Sequence, residues 1–183
     1  MHEIDLSKYR IRTDLIVEHL NNFGEYKKGE ELYNDIKIET INIDSEMSKK
    51  IDKKEGVYKT IYFDDVTDET NFNNLLNTTI KALKDLFKEI NIKDNYSTLI
   101  VGLGNRKATP DALGPLTIEH IKITRQIVEL GLPIGSKYRI ISSLVPGVMG
   151  TTGIETKEII EGVIEKTKPD FLIVIDALAA SNL

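Results

Sequence analysis

The sequence contains no cysteine. That absence excludes disulfides, thiolate zinc sites and a cysteine nucleophile together. Histidine is scarce too: with only His2, His19 and His120, a Ser-His nucleophile or a multi-histidine metal centre has little to be built from. The metalloprotease pattern HExxH, the nucleophile elbow GxSxG and the phosphate loop GxxxxGK(S/T) do not occur. No window approaches the roughly 18 consecutive apolar residues of a membrane span. The opening MHEIDLSKYR is charged from the start and has no apolar signal region, so a cytoplasmic protein is expected, without a membrane partner. A formal charge of -5 disfavours broad affinity for nucleic acid, which needs many cations facing phosphates. By elimination, hydrolytic chemistry in this chain rests on carboxylates, and no metal or organic cofactor is expected.

What is present reads as an ordinary globular chain. Its 183 residues, 40% hydrophobic and 29% charged, are enough for one cored domain with a small appendage. Residues 1–20 read as a terminal arm with a short amphipathic helix at Leu15-Ile16-Val17, and 21–35 as a polar linker. Ile36, Ile38, Ile41 and Ile43 alternate, with an irregularity expected near Glu39-Thr40, and Val57–Phe63 (VYKTIYF) is a second strand. Residues 36–63 are therefore a small β appendage. Thr67 or Asp68 caps a helix whose Leu75, Leu76, Ile80, Leu83, Leu86, Phe87 and Ile90 recur at helical spacing, so it should pack on a sheet. From residue 97 to 176 the order is strand (Leu99–Leu103), helix (113–130), strand (Tyr138–Leu144), helix (Glu155–Lys166), strand (Phe171–Ile175). That alternation predicts the α/β class, with a mainly parallel sheet flanked by helices.

The stretch LIVGLGNRKATPDALGP, Leu99–Pro115, is the centre of the reading. A buried parallel strand turns through Gly102 and Gly104 and is followed by Asp111, in the place where open α/β sheets form their ligand crevice. Lys107 stands where the dinucleotide motif GxGxxG needs its third glycine, so the glycines suit close backbone approach instead. The apolar run FLIVI delivers a second acid, Asp176. Singly, each acid has a plainer use as a helix cap. Together, two carboxyls at neighbouring strand ends can share one proton, activate water and protonate a leaving group. Gly102, Gly104 and Asn105, with Pro146, Gly147, Met149 and Gly150 from the glycine-rich loop after the third strand, are the candidate walls of that cleft. The plainer reading of the second loop is a flexible connector.

Four segments, DLSKYRIRTDLIVE, LIVGLGNRKATPDALGP, PGVMGTTGIET and EKTKPDFLIVIDALAA, resemble the germination protease family of spore-forming bacteria, with a match running from Asp5 to about Ala180. The resemblance implies an atypical aspartic endopeptidase that degrades small acid-soluble spore proteins in the forespore or spore core, with an α/β core similar to hydrogenase-maturation endopeptidases. Its catalytic pair falls on Asp111 and Asp176. It further implies a zymogen that cuts itself between Asp14 and Leu15, so that 1–14 form a propeptide and 15–183 the peptidase domain. A homotetramer is implied as well. Family members continue beyond Leu183, so the chain is expected to be truncated relative to them. Two alternatives stay open: a metal-dependent maturation-type peptidase using His120, and a truncated module that binds the same substrates without cutting them.

Overall fold

The computed structural model describes residues 14–20, 26–133, 135 and 138–180. Most of the expected propeptide lies outside those residues, Asp14 being its one described position. The chain divides into two units, Met1–Ile92 with Leu178–Leu183, and Lys93–Ala177. No helix among the described residues is long and apolar enough to cross a membrane.

In the first unit, α1 (Ile16–Leu20) precedes an antiparallel meander of β1 (Lys28–Tyr33), β2 (Ile36–Ile43) and β3 (Gly56–Tyr62). Part of the stretch expected to be a linker is thus strand β1. Its residues KGEELY are almost all exposed at the edge of the sheet, so they carry no apolar alternation to betray it. Asn34 and Asp35, both with positive φ, make the two-residue turn to β2. No irregularity occurs at Glu39-Thr40: β2 pairs without interruption with both neighbours. The isoleucines change phase because β2 is buried on both faces. Ile41 and Ile43 join Ile16, Leu20 and Ile51 in one core, the last from α2 (Ser45–Ile51). Ile36 and Ile38 point to the opposite face. Glu39, only 3% exposed, lies directly across from Glu30, and Lys28 and Lys37 bridge both acids. Their hydrogen bonds hold the Glu30 carboxyl down to about 2.

Helix α3 (Glu69–Glu89) begins at Asp68, whose carboxylate accepts from the Asn71 amide at 2.9 Å. It packs on the meander, but through its small residues. Thr78 and Ala82 are buried, and the Thr78 hydroxyl donates to the Tyr33 carbonyl at 3.2 Å. Leu76, Ile80, Leu83 and Ile90, expected on the inner side, are exposed.

The second unit is α/β. A parallel sheet has β4 (Thr98–Gly102) in the middle, between β5 (Ile141–Leu144) and β6 (Phe171–Ile175). All five residues of β4 are buried, as a central strand requires. Strand β6 is an edge, and Leu172 and Val174 remain partly exposed despite its wholly apolar sequence. The helix expected over 113–130 is two, α4 (Leu113–Glu119) and α5 (Arg125–Glu129). Thr124 breaks it: its hydroxyl donates to the Arg139 carbonyl at 2.5 Å and accepts from the Ile141 amide at 2.9 Å, while its amide donates to the Ile141 carbonyl at 3.0 Å. Those bonds tie residue 124 to the start of β5 and forbid a continuous helix. The glycine-rich loop carries a short helix, α6 (Met149–Thr152), before α7 (Thr156–Thr167).

Candidate active site

Past Gly102 the chain leaves β4 through Leu103 and Gly104 and returns in a single 3-10 turn, Thr109–Asp111. The Asn105 amide closes the loop by donating both to the Asp111 carbonyl, at 2.9 Å, and to its carboxylate Oδ2, at 2.8 Å. Gly104 has φ of +111°, and a Cβ there would lie 2.1 Å from the Asp111 carbonyl oxygen and 2.9 Å from Oδ1. The acid therefore sits over a bare glycine, the one residue that tolerates both the backbone angle and the contact. Asp111 does not cap α4, whose N-terminal cap has no side-chain hydrogen bond. Its carboxylate turns back to the loop instead.

Two more glycines bring the second acid to this place. A Cβ on Gly102 would stand 2.4 Å from the Gly114 carbonyl oxygen. One on Gly114 would stand 2.3 Å from the Leu103 oxygen and 2.5 Å from that of Ile175. So α4 seats its first turn directly on the ends of β4 and β6. The ladder pairs Gly102 with Ile175, and the Leu103 amide still donates to the Ile175 carbonyl at 2.8 Å. Asp176, the next residue, comes level with Leu103, and Gly104 beneath Asp111 follows at once. Each carboxylate accepts from a main-chain amide, Asp111 from Asn105 and Asp176 from Ala177 at 2.9 Å. No hydrogen bond joins the two acids.

Beside the Asp111 turn lies a cleft of about 350 Å³, between Gly104–Lys107 on one side and 145–148 with Thr151 on the other. Of the expected wall residues, Gly104, Asn105, Pro146 and Gly147 line it. Gly102 is sealed beneath Gly114, and Met149 and Gly150 open α6 rather than line the cleft. The loop 146–153 is tied by threonines: Thr151 donates to the Val148 carbonyl at 2.9 Å and Thr156 to that of Gly147 at 3.2 Å. Arg106 and Lys107 add a basic wall, which no acid or glycine pattern in the sequence signals. Arg106 is paired with Glu119 at 2.5 Å, which lowers the Glu119 carboxyl below its usual range. Gly114 carries no such signal either; only its partners across the fold distinguish it. His120 ends α4, its amide donating to the Thr117 carbonyl. Among the described residues no three or more His, Cys, Asp or Glu gather where they could hold a metal.

An open α/β sheet forms its ligand crevice past the carboxyl ends of its strands, which is where Asp111, Asp176 and the cleft beside Gly104 lie. A model of the germination protease family matches residues 11–183. The germination protease of Oceanobacillus iheyensis is 39% identical over 191 residues, covering 96% of this chain and 52% of that protein. That of Priestia megaterium is 40% identical over 197 residues, covering 99% and 53%, and that of Bacillus pumilus 40% over 198, covering 97% and 53%. The chain belongs to the germination protease family. It spans about half the length of the curated relatives it matches.

Proposed function

We propose that this chain carries the catalytic acids of an endopeptidase acting in spore germination, and that Asp111 and Asp176 are those acids. The observation that supports this most is the β4–β6 register, which brings Asp176 level with Leu103, one residue from the glycine on which Asp111 rests. With a peptide in the cleft, one carboxylate takes a proton from water as its oxygen attacks the scissile carbonyl. The other gives a proton to the departing amine as the C–N bond breaks. Small acid-soluble spore proteins are the substrates, the forespore or spore core is the place of action, and a homotetramer is the working assembly. Asp14–Leu15 is the bond of self-processing.

In the full-length protein, Asp111→Asn and Asp176→Asn should each lower the cleavage rate of a spore-protein substrate about 10²–10⁴-fold, the usual worth of a general acid or base. Normal cleavage by either variant ends the proposal. One observation favours a second reading, a module that binds these substrates without cutting them: the Asp111 carboxylate accepts from the Asn105 amide and the Asp176 carboxylate from the Ala177 amide, and no hydrogen bond joins the two acids. Binding that yields no fragments, from an otherwise intact full-length protein, selects that reading.

A further inference from the structure

We infer that Lys107 is a specificity-determining residue, whose ammonium reads an acidic side chain of the bound peptide next to the scissile bond. The inference rests on the reading of Asp111 as a catalytic acid. Two cations line the cleft beside Asp111, and they are not equivalent. The Arg106 guanidinium donates through Nε and through Nη2 to the two carboxylate oxygens of Glu119, so its fork is occupied. Lys107, one residue on, makes no ion pair among the described residues. No acidic side chain lines the cleft to compete for it. A peptide carboxylate entering there meets one uncommitted positive charge.

The loop holds that charge in register with the acid. The Lys107 amide donates to the Asn105 side-chain oxygen at 3.0 Å, and the Ala108 amide to the Asn105 carbonyl at 3.0 Å. Ala108 accepts in turn from the Asp111 amide at 2.8 Å, and the Asn105 amide donates to the Asp111 carboxylate. Lys107 thus springs from the same closed turn that seats Asp111, and Gly104, on which the acid rests, also lines the cleft. The opposite wall is Val145, Pro146 and Val148, and Val145 is 44% exposed. Such a wall takes an apolar side chain, and the water that this side chain displaces strengthens the attraction between ammonium and carboxylate. The cleft therefore suits an acidic residue joined to an apolar one, a pair that the proposed bond Asp14–Leu15 contains.

The test uses the full-length protein and synthetic peptides of residues 8–21, with Asp14 kept or changed to Asn. The parent should cut the Asp14 peptide with kcat/KM about tenfold above the Asn form, the worth of one hydrogen bond to a charged group. Lys107→Met should bring that ratio to about one, and Arg106→Gln should leave it unchanged. Each ratio is taken within one protein, so a variant that folds only in part still reports it. A parent that does not distinguish the peptides, or an undiminished preference in Lys107→Met, overturns the inference. So does loss of the preference in Arg106→Gln alone. If neither peptide is cut by any form, the proposed hydrolysis falls and Lys107 is judged on binding of the same peptides, labelled with fluorescein, by anisotropy. A tenfold difference in Kd that disappears in Lys107→Met then supports its role, and equal binding overturns it.

Discussion

The two ends of the parallel sheet hold acids of the same type under opposite conditions. Where the strands enter, Asp170 precedes β6 and is saturated: its carboxylate accepts from the Ser97 amide at 2.6 Å and the Ser97 hydroxyl at 2.7 Å. Its own amide donates back to the Ser97 carbonyl. Those hydrogen bonds hold the Asp170 carboxyl below the ordinary aspartate range. Arg139 reinforces the same end, donating to the carbonyls of Lys93 and Tyr96 and lying 5.4 Å from the centre of the Phe171 ring. Where the strands leave, Asp111 and Asp176 each accept from one amide, and glycines replace side chains around them. An acid spent on holding strands together has nothing left for a substrate. An acid that accepts a single amide keeps acceptor capacity to spare.

The contrast can be broken hardest at Gly114. Gly114→Ala drives a Cβ into two carbonyl oxygens of neighbouring strands, neither of which is a flexible side chain, and should cost about 3 kcal/mol or more in urea unfolding. Gly104→Ala comes next, at about 2 kcal/mol, because it adds a strained backbone angle to a contact with Asp111. Gly131→Ala separates the two contributions: it also has positive φ but nothing near its Cβ, and should lose only about 1 kcal/mol. The smallest effect is at the entering end. Asp170→Ala should lower the melting temperature at neutral pH. Because the folded carboxyl titrates below its unfolded value, its stabilisation is present above the unfolded pKa and is lost as pH falls through the folded one. The gap between variant and parent should therefore close in acid. A gap that stayed constant down to low pH would mean that the Ser97 bonds do not depend on charge.

This difference explains how far the sequence could be read. The strands β4 and β6, the cap at Asp68 and the two strand-end acids were legible because each announces itself locally, by an apolar run or by a turn residue. Asp170 and Asp176 flank the same strand and look alike in the sequence. Their partners decide between them, and Ser97 lies 73 positions from Asp170. Gly114 needed Ile175, the hydrogen bonds of Asp14 needed Ala179, 165 positions away, and the break at Thr124 needed Ile141. Strand β1 was hidden for the opposite reason, since an exposed edge strand is free to be polar.

Strand β2 switches its apolar side chains from one face to the other halfway along, and this makes it self-aligning. A shift of one residue against β1 or β3 would invert both halves together, turning Ile36 and Ile38 away from one layer and Ile41 and Ile43 away from the other. A strand greasy on a single side can slide by two positions and still keep that side covered. Here a two-step slide would carry Glu39 into the place of Ile41 or Lys37, so the meander has one alignment in which every layer closes.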